Sequence, residues 1–119
     1  MDKKQKYRHI TFYKNYFQVF FDKQTKKVKA KIVWTLQLIE ELPRVPETYF
    51  KHIENTDGLY EIRVQSGSNI LRIFCFFDHG KLVVLVNGFQ KKTQKTPKNE
   101  IETALKIKSE NESEIINNQ

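Results

Sequence analysis

Three strand-like runs follow one another in the middle of the chain, and they limit its possible folds more than any other feature. They are Leu59–Gln65, Ile70–Phe77 and Leu82–Phe89, each rich in β-branched and aromatic residues. The short segments "SGSN" and "DHGK" separate them, and both have the length of a hairpin turn. The segment therefore predicts three consecutive antiparallel strands.

The residues before these runs predict one strand and one long helix. The segment His9–Phe21 begins with β-branched and aromatic residues, which favours a first strand that leads toward a helix. An apolar stripe at helical spacing, formed by Val28, Ile32, Leu36 and Ile39, predicts a helix over Thr25–Leu42. A short helical turn is expected before it, near Gln18–Gln24, and residues 43–58 are expected to form a linker with little regular structure.

A final helix is predicted after the strands. Thr96 and Pro97 suit an N-cap and a first helical turn, and Ile101, Ala104 and Leu105 share one face of the helix that follows. The predicted order is β-α(α)-β-β-β-α, which is a small α+β fold with a mainly antiparallel sheet and helices packed on it. We expect a single domain over residues 1–108 and a polar, flexible tail over residues 109–119.

Charge is distributed unevenly along the 119 residues. The whole chain carries a formal charge of +7, but three acids and no base follow Lys108, so residues 1–108 carry +10. Such an excess favours a polyanionic partner, nucleic acid above all, over a domain that is merely basic and soluble. No apolar run is long enough for a membrane span, the first residues lack the apolar core of a signal peptide, and the single Cys75 excludes an internal disulfide. A cytoplasmic location without membrane attachment is expected.

Charged residues interrupt two of the predicted strands on one face. Strand alternation places Glu61 and Arg63 together, and Arg72 lies within a run that is apolar on both faces. Such an arginine is either paired or available to a ligand. One interpretation is a cross-strand ion pair between Arg72 and Glu61. The other is a clamp of Arg63 and Arg72 on a phosphate, which the excess of arginine over glutamate favours.

The third strand leads into a lysine-rich segment, "GFQKKTQKTPK". Lys91 and Lys92 are candidates to stabilise negative charge on a reacting phosphate, the alternative being ordinary solvated lysines. Phe89 is a candidate to stack on a base, the alternative being a core aromatic. The candidate RNA contacts are Lys51, Phe89, Lys95 and Lys98.

No zinc-ligand spacing, phosphate-binding glycine loop or nucleophile elbow occurs in the sequence. An enzyme built on this chain would therefore use Glu, Arg and Lys, and we expect neither a metal nor a cofactor. Cleavage of RNA suits these residues because the ribose 2′-OH is an internal nucleophile. Glu61 would be the base, Arg63 and Arg72 the phosphate clamp, and Lys91 or Lys92 the stabiliser and possible acid.

The segments "GLYEIRVQSGSNILRIFCFF" and "LVVLVNGFQKKTQKTPKNEIETALK" closely resemble the HigB-type, phage-derived branch of the RelE/ParE toxin superfamily. The resemblance covers roughly Tyr7 to Lys108. It implies a RelE-like fold and the toxin of a type II toxin–antitoxin pair, acting as an mRNA endonuclease on the ribosome. It also implies a neighbouring helix-turn-helix (HigA-like) antitoxin.

In that superfamily, charged residues on the corresponding strands line the RNA site, which implies this role for Glu61, Arg63, Arg72 and Lys91 or Lys92. Some members carry a Tyr or His near the C-terminus for proton transfer. This chain has neither after Phe89, so the general acid stays unassigned. Two alternatives remain open: a ParE-like gyrase poison, and a non-catalytic module that binds RNA or only its antitoxin.

Overall fold

The computed structural model describes residues 6–84, 89–90 and 98–117. A mixed sheet of five strands forms the centre of the molecule, in the order β1-β5-β4-β3-β2, and a two-residue strand, β6, also pairs with β4. In chain order the elements are β1 (His9–Phe12), α1 (Tyr16–Asp22), α2 (Lys26–Glu41), β2 (Phe50–His52), β3 (Leu59–Ser66), β4 (Asn69–Asp78), β5 (Lys81–Val84), β6 (Phe89–Gln90) and α3 (Lys98–Asn117). The predicted α+β class is confirmed.

The long hairpin of β3 and β4 is the longest pairing in the sheet. Its register pairs Leu59 with Phe76 at one end and Ser66 with Asn69 at the other. The next turn, between β4 and β5, has positive φ angles at both His79 and Gly80, as a type I′ hairpin turn requires. The three predicted strands are therefore confirmed, although the third is described as β5 and β6, with residues 85–88 outside the described ranges.

Helices α1 and α2 pack on one face of the sheet. Thr25 caps α2 by accepting a hydrogen bond from the backbone N–H of Val28 (3.3 Å), and Leu42 ends the helix in an extended conformation before Pro43. The predicted apolar stripe faces the sheet, where Ile32 and Ile39 are fully buried. Burial of such side chains contributes roughly 1.5–3 kcal/mol each, so the stripe fixes α2 on this face.

The opposite face of the sheet carries α3. Ala104 and Ile107 of this helix form a second apolar cluster with Leu59, Phe74 and Phe76 of the central hairpin. The helix continues to Asn117, through most of the segment that the sequence assigned to a polar tail. The predicted cap at Thr96 and Pro97 lies outside the described residues.

The predicted linker over residues 43–58 is wrong in one respect. Residues Phe50–His52 form β2, an edge strand antiparallel to β3. A three-residue strand is too short to show alternation, and Pro43 and Pro46 nearby favour irregular structure. The pairing with β3 decides its conformation, because it gives the backbone groups of these residues hydrogen-bond partners.

The first strand pairs with a distant part of the chain. Strand β1 lies parallel to β5, with His9 opposite Lys81 and Phe12 opposite Val84. The other strand pairs are antiparallel, which agrees with the predicted mainly antiparallel sheet. Within the described ranges, no helix is long and apolar enough to cross a membrane.

Candidate functional site

A row of charged side chains lies on the α3 side of the sheet. The register places Arg63 directly opposite Arg72, and Glu61 opposite Phe74 of the second apolar cluster. Since paired residues project to the same side of a sheet, Glu61, Arg63 and Arg72 share this face, as strand alternation predicts. We call these three residues the charged row.

Glu61 lies at the centre of the charged row and is 2% exposed. Its Oε1 accepts a hydrogen bond from Arg63 Nε (2.8 Å) and another from Arg72 Nη1. A buried carboxylate is stable only when it is paired, and here two guanidinium groups share it. The ion pair that the sequence offered as one interpretation of Arg72 is therefore present, with Arg63 as a second partner.

The two arginines differ in exposure. Arg72 is 3% exposed, whereas the side chain of Arg63 is 28% exposed, so Arg63 presents the row to solvent. Burial lowers the pKa of the Arg72 guanidinium, the charge of Glu61 opposes this change, and the charge of Arg63 adds to it. Two positive charges against one negative charge leave the row cationic at neutral pH, and the second interpretation, a phosphate clamp, depends on this excess.

Arg72 also carries an unused donor. Its buried Nε has no hydrogen-bond partner among the described residues. Most buried donors in proteins are paired, and an unpaired one costs about 1–3 kcal/mol. A guanidinium with one edge on Glu61 and a free N–H is suited to an additional acceptor such as a phosphate oxygen.

Strands on either side extend the row across the sheet. On one side, the register pairs Lys51 of β2 with Glu61 of β3, so Lys51 projects to the same face, where it is partly buried. On the other side, it pairs Phe89 of β6 with Arg72 of β4. The register thus places predicted site residues of four strands, β2, β3, β4 and β6, next to one another in the sheet.

The remaining predicted residues are placed differently. Lys98 is the first residue of α3 and is exposed to solvent. The other candidate lysines, Lys91, Lys92 and Lys95, lie outside the described residues, so their assigned roles stay predictions. In the part of the chain that the structure describes, no three His, Cys, Asp or Glu side chains are grouped as a metal site requires.

Trp34 is an exposed aromatic residue that was not among the residues predicted to form the site. This side chain is 43% exposed on the outer side of α2, although tryptophan is usually well buried. The available signal was its position, because Trp34 does not belong to the stripe formed by Val28, Ile32, Leu36 and Ile39. A large aromatic residue away from the buried stripe of an amphipathic helix is expected to be exposed.

Comparison with known proteins gives one family. None of the curated proteins matches the chain. Residues 19–109 match the model of the family described as phage derived protein Gp49-like (DUF891). This span contains α2, the central hairpin and the charged row. The family is toxin-like, occurs in toxin–antitoxin systems and is associated with RNase toxins. The chain therefore belongs to the phage-derived Gp49-like family.

Proposed function

We propose that this protein is the toxin of a type II toxin–antitoxin pair, of the HigB type in the RelE/ParE superfamily. In this proposal it cleaves mRNA on the ribosome and so inhibits translation, and a helix-turn-helix antitoxin neutralises it. The observation that carries the proposal is the charged row, in which a buried carboxylate holds the buried guanidinium of Arg72 and the partly exposed guanidinium of Arg63 in a basic domain. Membership in a toxin-like family supports the same conclusion.

The reaction we propose is attack of the ribose 2′-OH on the adjacent phosphate, with departure of the 5′-oxygen. Negative charge increases on the phosphate oxygens in the transition state, and preorganised cations next to them lower the barrier. Arg63 and Arg72 provide such cations, and Glu61 fixes their orientation through its two hydrogen bonds. The unpaired Nε–H of Arg72 is a further donor for a phosphate oxygen.

Glu61 has one role that follows directly from its contacts, which is to position the two arginines. Its predicted role as the base would further require that the 2′-OH reach a carboxylate that is 2% exposed, which means that Arg63 would move aside when RNA binds. Lys91 and Lys92 remain the proposed source of further phosphate stabilisation.

The test is expression in a sensitive cell, with transcript ends mapped for the wild type and for Arg72→Ala. We expect new mRNA ends with the wild type and a loss of at least about 100-fold in their frequency with Arg72→Ala, the size of effect seen when a transition-state donor is removed. Arg44→Ala is the matched control, because Arg44 is exposed and distant in sequence from the row. Undiminished cuts with Arg72→Ala would contradict the site assignment.

Three further measurements make the result decisive. Arg63→Ala tests the same row at a partly exposed position, where loss of folding is less severe than at Arg72. Induction of a DNA-damage response without mRNA cuts would indicate a ParE-like gyrase poison instead. Harmless overexpression without inhibition of translation would indicate a non-catalytic module that binds RNA or its antitoxin.

A further inference from the structure

An open groove lies between the outer side of α2 and the turn that joins β3 to β4. Lys27, Lys31 and Trp34 line it from the helix, Gln65 lines it from the end of β3, and Gly67 lines it from the turn. Its volume is about 420 Å³, which is in the range of small-ligand sites. We call it the helix groove. It belongs to the opposite layer of the molecule from α3 and is separate from the charged row.

The helix groove is cationic, because Lys27 and Lys31 line it and none of its described lining residues is an acid. From Lys23 to Ile39 the chain contains five lysines and no acid. Most of them lie at the N-terminus of α2, where the helix dipole disfavours positive charge, and the first turn contains no acid to compensate. These lysines therefore do not stabilise the helix, whereas an anion bound in the groove would remove their mutual repulsion.

Trp34 gives the groove an aromatic wall. The Nζ of Lys31 lies 4.1 Å from the centre of the Trp34 ring, and Tyr49 contacts the same ring edge-on at 5.8 Å between ring centres. These contacts fix the indole in place while 43% of the residue stays exposed. A fixed, exposed aromatic ring among lysines is how proteins bind single-stranded nucleic acid, with a base on the ring and phosphates on the cations.

Strand β3 connects the helix groove with the charged row, because it carries both Arg63 and Gln65. Gln65 follows Arg63 by two positions on β3, so the two side chains project to the same face about 7 Å apart along the strand. Gln65 is exposed and lines the groove. A strand of RNA in contact with Arg63 can therefore pass over Gln65 and around the turn into the groove.

We propose that the helix groove binds single-stranded RNA next to the segment that the charged row holds, with a base on Trp34 and phosphates on Lys27 and Lys31. The inference rests on the proposed function in one respect, namely that the charged row binds RNA. An acidic peptide would also match the charge, but it would leave the exposed ring without a stacking partner. RNA accounts for both the lysines and the aromatic wall.

Trp34 is the sole tryptophan of the chain, so its fluorescence reports on this groove directly. The experiment titrates the full chain with a 15-nucleotide oligouridylate whose riboses are all 2′-O-methylated, which prevents cleavage by 2′-OH attack. We expect the emission of Trp34 to be quenched in a saturable manner. Saturable binding of the probe, followed by anisotropy, without any change in Trp34 emission would overturn the proposal.

Two groove variants measure the separate contributions of the ring and the lysines. Trp34→Ala is expected to weaken binding of the oligonucleotide about 5- to 150-fold, the range for loss of one base–aromatic stack. Lys27→Ala combined with Lys31→Ala is expected to reduce the slope of log affinity against log salt by about 1.4, because two phosphate contacts to a single strand are lost. Circular dichroism of each variant confirms that it is folded.

The controls are an apolar residue on the same helix and a pair of lysines elsewhere. Val33→Ala removes a neighbouring apolar side chain of the same helix that is equally exposed, and Lys81→Ala with Lys106→Ala removes two exposed lysines elsewhere. Neither is expected to change quenching or the salt slope. Equal losses in the groove and control variants would show that binding follows net charge alone and would overturn the proposal.

A final comparison separates this inference from the proposed function and from a protein partner. The probe is not cleaved, so persistence of mRNA cuts in Arg72→Ala would contradict the proposed catalytic site and leave the quenching result unaffected. Conversely, if mRNA cuts depend on Arg72 but the emission of Trp34 is not quenched, only the proposal for the helix groove is contradicted. Tighter binding of a 15-residue oligoglutamate than of the oligonucleotide, at the same salt concentration, would assign the groove to an acidic peptide.

Discussion

The charged row and the helix groove are both cationic, but they hold their charges in opposite environments. In the row, Arg72 and Glu61 are almost fully buried and bonded to each other. In the groove, Lys27 is exposed and no acid lies nearby in the sequence. A buried cation requires a fixed partner, and the planar guanidinium of arginine provides the geometry for one, whereas an exposed cation is adequately solvated as lysine. We therefore expect the row to contribute to folding as well as function, and the groove to contribute to binding alone.

The largest effect is expected from breaking the buried cluster. Glu61→Ala leaves Arg72 buried without a counterion and should lower the free energy of unfolding by about 3–5 kcal/mol. Urea denaturation followed by Trp34 fluorescence measures this change. Glu47→Ala, at an exposed position, is the matched control and should change stability by less than about 0.5 kcal/mol. A loss below about 1 kcal/mol in Glu61→Ala would show that the row is far better solvated than its burial indicates.

A double substitution separates stability from function in the same cluster. Glu61→Leu with Arg72→Met replaces the buried ion pair by apolar side chains, which is often neutral or stabilising in other proteins. We expect the free energy of unfolding to return to within about 2 kcal/mol of the wild type while mRNA cleavage stays lost. Cleavage that recovers together with stability would show that the row has only a structural role.

The next effect concerns Cys75, which projects from β4 to the face opposite the charged row. Burial, together with the negative charge of Glu61, raises the pKa of the Cys75 thiol well above its ordinary value. Above about pH 9 the unfolded chain loses this proton and the folded chain keeps it, so stability should fall by about 1.4 kcal/mol per pH unit. Below about pH 9 the thiol is protonated in both the folded and the unfolded chain, so its contribution to stability is fully present.

Cys75→Ala isolates that contribution. The difference in the free energy of unfolding between the wild type and Cys75→Ala should be constant below pH 9 and should shrink as the pH rises above it. Denaturation curves at several pH values between 7 and 10.5 measure it. A difference that does not vary with pH would mean that the thiol titrates alike in the folded and unfolded chains.

A smaller effect is expected at the solvent-facing end of the row. Arg63→Ala removes the hydrogen bond of 2.8 Å to Glu61, but Arg72 still pairs with the carboxylate, and the partial exposure of Arg63 weakens the lost interaction. The free energy of unfolding should fall by about 1 kcal/mol. Thermal denaturation measures it, and Arg44→Ala is the exposed control. A loss as large as that of Glu61→Ala would remove the distinction between the two arginines.

The smallest effect should have the opposite sign. Lys27→Ala removes a positive charge from the N-terminal turn of α2 and should raise the free energy of unfolding by about 0.3 kcal/mol or slightly more, because it relieves repulsion with the helix dipole. Lys106→Ala, in the exposed part of α3, should leave stability unchanged. If Lys27→Ala destabilises the protein instead, the lysines of the helix groove have a structural role that their exposure does not suggest.

Strand alternation explains why the sequence predicts the charged row. Once β3 and β4 form a hairpin, the period of two places Glu61 and Arg63 on one face, and the length of the turn sets Arg72 opposite Arg63. The helical spacing of its apolar stripe likewise predicts α2. Local patterns of this kind are visible in a sequence because each depends on residues that are close together in the chain.

What the sequence did not predict depends on long-range packing. The position of Lys51 opposite Glu61 requires β2, which forms only through its pairing with β3. The choice between ion pair and clamp at Arg72 depends on how deeply this face is buried, which is decided by the packing of residues distant in the sequence. The exposure of Trp34 next to Gln65 depends on where α2 lies along the sheet, which no local pattern specifies.

The parallel pairing of β1 with β5 has a consequence for how the chain folds during its synthesis. About 70 residues separate the two strands, so this pairing carries a high loop-closure entropy and contributes strongly to contact order. The N-terminal strand must wait unpaired until Lys81–Val84 have left the ribosome, whereas the β3–β4 hairpin with its charged row can form earlier. The edge of the sheet at β1 is therefore completed later than the β3–β4 hairpin, and the domain reaches its final form only after the ribosome has made its C-terminal third.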